Sequence, residues 1–457
     1  MDTINNNIDA NLLSKEIESI AQKESILKWD ISAFFSNDTS VQVDKGEAKQ
    51  LKSSQRSSIT IRVWNNEGLV GITSSSDLSH TGLIKAIRGA HKASKYGNRK
   101  EIPDFSSRAK ENLSNISRPI KKPKGINYLF GKLVKAESNL LKKHKSINSI
   151  PYNGLSESKY GRIYINSDGA IRNMERTQAS IYLYARAEER NKKPRSSGAL
   201  RVSLGINELE INDCIEEAAK KTIDHLCYQP INTGKYLVCF SPDSFIDLIG
   251  SFSNMFNARA ILDGISLSDK DSLGKTISVP YLNLYDNALH PENITANTFD
   301  GEGTPTGELC LIKKGKLSNF MHSESTARVF GVSPTGHAGI GAKASVGCDW
   351  LEIRRSDSNL SLMKQYNHNN LSDTFVLVDS LSALHSGVKS SQGSFSLPFD
   401  GWLVNNKKRV SIEAATIAGD ILQVLKNIVC IEEKQEITQN GLSPYIWVEN
   451  LSITGEG

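Results

Sequence analysis

Histidine and cysteine are the side chains best suited to hold a catalytic zinc ion, and this sequence disperses both. A zinc peptidase usually carries two histidines one helical turn apart, because positions i and i+4 share one helix face, with a glutamate that activates water. None of the nine histidines has a partner at that spacing, and His80 and His91, the closest two, are eleven residues apart. The six cysteines form no C-x-x-C pair. The sequence therefore contains no local zinc motif, although a site assembled from distant residues stays open.

Motifs for nucleophilic and phosphate chemistry are missing as well. The segment 331–336 has one residue too many for a G-x-S-x-G elbow. Gly274-Lys275-Thr276 resembles the end of a phosphate loop, but the glycine required five positions earlier is Asp269. The aspartates at 263, 269 and 271 do not have the spacing of a calcium-binding EF-hand loop. We interpret these segments as turns, while a dispersed Ser-His-Asp triad stays open.

Two loops rich in glycine, proline and threonine are the best candidates for a binding site. They span residues 299–307 and 333–339. Loops of this composition expose backbone N–H and C=O groups, which can bind an extended peptide by strand addition. The alternative is a pair of tight turns without a ligand. The predicted substrate-binding residues are Asp300, Glu302, Gly303, Thr335, Gly336 and His337.

Composition indicates a soluble protein of ordinary globular type. The chain has 457 residues, which favours two or three domains, and 38% apolar and 23% charged residues. No apolar stretch approaches the roughly 20 residues needed to cross a bilayer, and residues 1–5 lack a signal-peptide pattern. Scattered cysteines favour reduced, mostly buried thiols. We therefore expect a cytoplasmic protein that does not contact a membrane.

Positive charge is concentrated between Lys95 and Lys145, where fourteen Lys and Arg residues face four Asp and Glu residues. A solvated helix surface with a linker explains this segment, and an acidic or nucleic-acid partner is the alternative. Few aromatic residues lie there to stack on bases, and no known nucleic-acid motif occurs. Binding to nucleic acid is therefore not favoured.

The periodicity of apolar residues predicts an α+β fold whose C-terminal domain is rich in β-strands. An amphipathic helix is expected in the first 25 residues, a strand at 59–63, and a helix near 83–90 that Asp77 caps. A connector follows at 102–124, and then helices at 129–141 and 213–226 flank a hairpin that turns at Ser167-Asp168-Gly169. The predicted domains are 1–105 and 106–230, both α+β, and 231–457, which is β-rich.

The C-terminal domain begins with a short apolar strand at 236–240, followed by a helix that Ser241 caps and Pro242 starts. An apolar stripe from Phe245 to Phe256 fills this helix, which is predicted to extend to Asn257. The helix contains neither His nor Cys.

Five segments in order resemble the TldD/PmbA family, and specifically its TldE/PmbA-like branch. They are the glycine and small-polar run at 67–79, the "FDGEGTPT" segment at 299–306, Thr326-Ala327-Arg328 with Thr335-Gly336, His385-Ser386-Gly387 with Gly393-Ser394-Phe395-Ser396 and Gly401, and Ile417-Ala418-Gly419. The resemblance covers nearly the whole sequence. It implies a TldD/PmbA-like fold and a role in a metallopeptidase.

In the catalytic branch of that family, H-E-x-x-x-H lies on the helix after the first strand of the C-terminal domain, and a later cysteine is a further metal ligand. The corresponding helix here is 242–257, and Gly441-Leu442-Ser443-Pro444 stands at the position of the cysteine-bearing loop. The resemblance therefore implies a subunit without its own metal or catalytic residues. It would pair with a metal-bearing, TldD-like paralogue, in which zinc is expected, and cleave unfolded or short peptides.

Two other functions stay open from the sequence. One is a self-sufficient homodimeric hydrolase with an unrecognised site. The other is a modulator of DNA or of a DNA gyrase, a function historically associated with this family. Metal analysis with a peptide-cleavage assay separates the first from a non-catalytic subunit, and steeply salt-dependent DNA binding would support the second.

Overall fold

The computed structural model describes residues 9–97, 103–116, 118–341, 344–357, 360–370, 372–405 and 407–457. Residues 1–5, which carry the signal-peptide prediction, and residue 102, where the predicted connector begins, lie outside the described residues.

The first part of the chain builds one antiparallel sheet with helices on one side. Its elements are α1 (Ala10–Lys23), β1 (Lys28–Asp44), β2 (Glu47–Trp64), β3 (Val70–Ser75), α2 (His80–Ser94), α3 (Ile126–Leu141), β4 (Ile147–Asn166), β5 (Ile171–Ala187), β6 (Arg195–Ser203) and α4 (Ile211–Asp224). The six described strands pair in the order β3-β2-β1-β4-β5-β6. This sheet receives strands from both predicted N-terminal units, and the domain boundaries stay predictions.

The helices cover one face of this six-stranded sheet in two groups. α1 and α2 pack over the end that carries Ile31, Ile61 and Ile163. α3 and α4 pack over the other end, around Leu155 and Ile181. Because side chains alternate between the two faces of a strand, the neighbouring positions point away from the helices. We call this second side, which carries Arg62, Arg162 and Arg176, the helix-free face.

The second part of the chain is dominated by strands. Its elements are β7 (Tyr228–Gln229), β8 (Gly234–Phe240), α5 (Pro242–Ser251), α6 (Ala258–Leu262), β9 (Leu282–Asn287), β10 (Glu308–Lys313), β11 (Lys316–Leu317), α7 (Glu324–Phe330), β12 (Ala338–Gly339), β13 (Ser345–Val346), β14 (Leu351–Arg355), β15 (Phe375–Leu381), α8 (Leu384–Gly387), β16 (Val388–Lys389), β17 (Ser394–Asn405), β18 (Lys408–Ile412), β19 (Ala415–Asp420), α9 (Ile421–Lys426), β20 (Ile428–Ile437) and β21 (Gly441–Gly455).

Most of these strands form one large mixed sheet around the central strands β21 and β8. Its core includes Phe240, Phe252 and Ile446, all fully buried. A separate two-stranded ribbon joins β12 to β13. The predicted fold class, α+β with a β-rich C-terminal part, is therefore confirmed.

Several local predictions are confirmed and two need correction. Helices α1, α3 and α4 and the β4–β5 hairpin form as predicted, with Gly169 at φ +89° in the turn. Helix α2 is capped by Ser79, whose Oγ accepts the Gly82 N–H, and not by Asp77. Helix α5 ends at Ser251 instead of 257, because a 3-10 turn continues the apolar stripe.

Two further predictions concern membrane-spanning segments and the state of the cysteines. No helix within the described residues combines the length and apolar content needed to cross a membrane. All six cysteines are free thiols. Cys214, Cys239 and Cys430 are buried, whereas Cys227 is exposed and the other two are half-buried.

Candidate functional site

A buried ionic group joins the six-stranded sheet to the loops of the second part. Arg62 on β2 donates to both oxygens of Asp30 on β1, at 2.9 and 2.5 Å. Its Nη1 also lies 3.3 Å from Oε1 of Glu302, and both side chains are 0% exposed. Tyr164 on β4 donates its hydroxyl to Asp30 at 3.1 Å. One cation therefore links two strands of the sheet to the 299–307 loop.

Glu302 is the acidic residue through which this loop also reaches α7. Its Oε2 accepts the N–H of Glu324, the first residue of that helix, at 2.9 Å. Burial raises the pKa of Glu302 to about 7, although the nearby Arg62 charge acts in the opposite direction. Glu302 is thus an interior bridge between the sheet and α7.

Asp300 shapes the 299–307 loop from inside. Its Oδ1 accepts the N–H groups of Glu302 and Thr304 at 2.8 and 3.0 Å. Its Oδ2 accepts the N–H of Ala338, in the second loop, at 2.9 Å. Burial raises the pKa of Asp300, against the effect of these three donors. Gly303 adopts φ +76°, and its Cα packs so closely on the Tyr164 ring that a side chain would collide with it.

The second loop is held by a series of polar contacts. Thr335 Oγ1 lies 2.8 Å from Nδ1 of His337, and Nε2 of the same ring lies 3.1 Å from Oδ2 of Asp286 on β9. Asp286 also accepts the N–H groups of Asp349 and Trp350, each at 2.8 Å. Burial acts to lower the pKa of His337, but its bond to the Asp286 carboxylate outweighs burial and raises that pKa.

The order carboxylate, imidazole and hydroxyl in this series is that of hydrolytic triads, but its contacts indicate a structural role. The Thr335 hydroxyl accepts the His322 N–H at 2.7 Å and lies 3.3 Å from the His322 carbonyl. It is not part of the pocket that the His337 ring lines. We therefore interpret Thr335 as a loop tether and not as a nucleophile.

A small pocket lies between the two loops and the helix-free face of the sheet. Its volume is about 100 Å³, and its lining includes Arg162, Phe299, Asp300, His337, Cys348 and Asp349. Burial and the nearby Asp286 charge raise the pKa of Asp349 to about 6. Burial also holds the Cys348 thiol protonated, with its pKa raised. The pocket therefore presents an arginine, two carboxyl groups and an imidazole, without a reactive thiolate.

The six predicted substrate-binding residues come together around this pocket, but not as exposed loops. Asp300, Gly336 and His337 line it. Glu302 and Gly303 face Arg62 and Tyr164, and Thr335 faces His322. The expectation of exposed backbone is wrong for these loops, because Asp300, Glu302 and His337 are buried and the Asp300 carboxylate takes up N–H groups of both loops. A substrate-binding role for the six stays a prediction.

The residues that sequence reasoning missed are Asp30, Arg62, Arg162, Asp286 and Asp349. Asp30, Arg62 and Arg162 come from strands far from the two loops in the sequence, and Asp286 and Asp349 lie near a loop but outside it. A single sequence carries no signal for the tertiary contacts that bring these five residues to the pocket and the loops. The alternation of Arg62 with Ile61 and Val63 in a predicted strand does place its side chain opposite the core.

Helix α5 does not offer the donors that a zinc ion requires. Its buried face is apolar, with Phe245, Ile246, Leu248 and Ile249. Its carboxylates are Asp243 and Asp247, and burial raises the pKa of both, that of Asp243 to about 6. Protein zinc sites use at least three ligands, mostly imidazole or thiolate. No group of three or more His, Cys, Asp or Glu side chains arranged to hold a metal occurs among the described residues.

The C-terminal segment does not add a ligand to α5. Residues 441–444 begin β21 and contain no cysteine, and β21 packs against α5. Cys430 is buried on β20, where burial raises its pKa and its Sγ faces the Tyr366 carbonyl. The residues present therefore do not fit a zinc site at this helix.

Three family models match successive parts of the sequence. They describe PmbA/TldA metallopeptidase domain 1, at residues 29–94, the central domain, at 122–226, and the C-terminal domain, at 233–455.

Individual relatives and structures are similar over almost the full length. A protein of Escherichia coli O157:H7 named metalloprotease PmbA is 23% identical over 426 residues, covering 91% of this chain and 90% of the relative. The crystal structure of TldE from Thermococcus kodakarensis superposes with a TM-score of 0.78 at 19% identity, covering 98% of this chain and 100% of that one. A Thermotoga maritima MSB8 structure that bears the name modulator of a DNA gyrase gives a TM-score of 0.82 at 22% identity, with the same coverage.

Proposed function

The chain belongs to the PmbA/TldD metallopeptidase family, and from this premise we propose that it is the non-catalytic subunit of a two-subunit metallopeptidase. Its partner is a metal-bearing, TldD-like paralogue, and the pair cleaves unfolded or short peptides. The observation that carries the proposal is the donor set of α5, where apolar side chains and two aspartates occupy a helix without imidazole or thiolate.

The chemistry of the available side chains supports placing the metal in the partner subunit and not in this protein. A zinc ion held by three protein ligands lowers the pKa of its bound water and polarises the scissile carbonyl. Two carboxyl groups whose pKa values are raised by burial are poor competitors for such an ion, because metal binding requires the deprotonated form. The zinc ion is therefore assigned to the partner subunit, and the role of this protein is to help enclose and hold the peptide beside that subunit.

The decisive experiment compares the protein alone with the protein plus its paralogue. We expect the purified protein to contain far less than one equivalent of transition metal and to cleave no unfolded peptide. Activity is expected on mixing with a paralogue that carries H-E-x-x-x-H, and a chelator should abolish it. As matched controls, Glu→Gln within the partner's motif should remove activity, whereas Asp243→Asn in this protein should leave it unchanged.

The same experiment tests the homodimer alternative. Chelator-sensitive cleavage by this protein alone, with stoichiometric bound metal, would overturn the proposal. It would establish a self-sufficient hydrolase whose ligands come from dispersed residues.

A further inference from the structure

Arg162 is a half-buried cation that forms no hydrogen bond or ion pair with a described residue. It projects from β4 on the helix-free face and lines the small pocket. Its guanidinium has neither a hydrogen bond nor an ion pair among the described residues, and its neighbour is the Phe299 ring, at 5.8 Å. Burial lowers its pKa. Withdrawing a charge from water without a compensating bond is unfavourable. The Arg162 guanidinium can therefore donate hydrogen bonds to an acceptor group on a bound ligand.

A second arginine lies beside it. In the register of β4 with β5, Arg162 is opposite Met174 and Arg176 is opposite Tyr160, so the two arginines are diagonal neighbours on one face. Arg176 donates to the Thr295 carbonyl and, at 3.3 Å, to the Asn297 side chain. Its Nε is buried without an acceptor. Two adjacent cations that form no ion pair with a described carboxylate repel each other, and an incoming anion would relieve that repulsion.

The described acidic residues in and beside the pocket wall form no hydrogen bond or ion pair with these two arginines. The Asp300 carboxylate accepts hydrogen bonds from three backbone N–H groups. The Asp286 carboxylate is hydrogen-bonded to the His337 ring and accepts two backbone N–H groups. Asp300 and Asp349 both attract Arg162 electrostatically, but neither carboxylate is hydrogen-bonded to it. The hydrogen-bond donors of Arg162 therefore stay available within the pocket.

We propose that the Arg162 pocket, lined by Arg162 with Asn297, Phe299, Thr306 and His337 and neighboured on the sheet by Arg176, binds a carboxylate group of a peptide ligand. A guanidinium matches a carboxylate with two parallel hydrogen bonds. A volume of about 100 Å³ admits a carboxyl group with a short carbon stem and excludes a nucleotide. The carboxylate is either the C-terminus of the peptide or an Asp or Glu side group within it. The inference rests on the proposed function only in taking the ligand to be a peptide.

The test measures peptide binding to the full-length protein by fluorescence anisotropy. Three labelled, N-blocked peptides share one neutral, flexible sequence, with a free C-terminal acid, a C-terminal amide, or an amide with one internal Glu. We expect at least one acidic peptide to bind about tenfold or more tightly than the neutral amide, as a charge-assisted bidentate bond allows. If only the free acid binds more tightly than the neutral amide, the bound carboxylate is the C-terminus of a peptide. If the Glu peptide binds more tightly, the pocket accepts a side-chain carboxylate. Equal binding of all three overturns the inference.

Variants separate the pocket from general surface charge. Arg162→Gln should abolish the preference for the acidic peptide, and Arg162→Lys should retain a weaker one, because lysine keeps the charge without the planar pair of donors. Arg56→Gln is the matched control, since Arg56 lies on the same face but pairs with Asp38 in solvent. Retention of the full preference in Arg162→Gln would also overturn the inference.

The outcomes for the pocket and for the proposed function are distinguishable. Among the described residues, Arg162→Gln breaks no hydrogen bond or ion pair and removes the contact of the guanidinium with the Phe299 ring. Its melting temperature should therefore change little, and folded variant protein is expected for the assay. If the protein binds carboxylates but no paralogue gives it peptidase activity, the proposed function is wrong and the pocket inference stands. Activity with the paralogue, combined with no carboxylate preference, would sink the pocket alone.

Discussion

The Glu302 carboxylate lies 3.3 Å from the Arg62 guanidinium, and both groups are completely withdrawn from solvent. Arg62 stands on the six-stranded sheet and Glu302 in the loop between β9 and β10, so this contact ties the two parts of the molecule together. Asp30 and Tyr164 complete the group on the sheet side. Because every member is buried, changes at these positions should be measurable as changes in stability.

Replacing Arg62 by Met should be strongly destabilising. The substitution leaves the carboxylates of Asp30 and Glu302 buried and unpaired, and removing one partner of a buried ion pair typically costs about 3–5 kcal/mol. The free energy of unfolding in urea measures the effect. Arg56→Met, on the same strand, removes an exposed partner of Asp38 and should change stability little. If both variants lose a similar free energy of unfolding, the buried contacts of Arg62 stabilise the protein no more than the exposed pair of Arg56 does.

Replacing Glu302 by Gln should alter how stability depends on pH. The pKa of Glu302 rises from the usual 4.5 to about 7 on folding, so the folded state binds more protons than the unfolded state between these values. The contribution of Glu302 to stability is therefore greatest at low pH and falls as pH rises from about 4.5 to 7, by roughly 3 kcal/mol. Glutamine does not titrate.

We therefore expect Glu302→Gln to gain stability relative to the wild type as pH rises through that window. Urea unfolding at several pH values between 4.5 and 8 measures the difference between the two proteins. Parallel pH profiles would contradict the raised pKa.

Local chemistry in the sequence predicts the elements but not the site. The β4–β5 hairpin follows from Ser167-Asp168-Gly169, because the glycine supplies the positive φ that the turn needs. Strand β1 is harder to recognise, because its alternation breaks at Asn37 and Thr39, where the strand passes from one helix group to the other. The pocket cannot be derived from spacing, since Arg162 and Phe299 are brought together only by the tertiary fold.

Replacing Gly336 by Ala should be more damaging than the same change at a neighbouring left-handed glycine. Gly336 has φ +83°, and a Cβ there would lie 2.5 Å from the Pro305 carbonyl oxygen of the other loop. Gly331, at φ +69°, has open space around it. Both variants lose about 1–2 kcal/mol from the left-handed backbone, and Gly336→Ala should lose a further 1–3 kcal/mol, roughly, from the steric conflict. Thermal unfolding of the two variants compares them, and equal losses would contradict the close approach of the loops.

Replacing Asp286 by Asn should lower the pKa of His337 and destabilise the second loop. In the wild type the Asp286 carboxylate outweighs burial and raises the pKa of His337 above the usual 6.5. The stability that this protonated pair supplies is fully present below pH 6.5 and is lost as pH rises through the folded-state pKa. In the variant, burial lowers the pKa of the imidazole against only the weaker attraction of Asp300 and Asp349. The loss of stability should therefore be largest below pH 6.5, about 2–3 kcal/mol for a charge-assisted bond, and smaller at pH 9. NMR titration of labelled histidine gives the pKa, and urea unfolding gives the loss. A loss that does not vary with pH would show that His337 is neutral beside Asp286, and that the backbone N–H groups of Asp349 and Trp350 alone depend on this carboxylate.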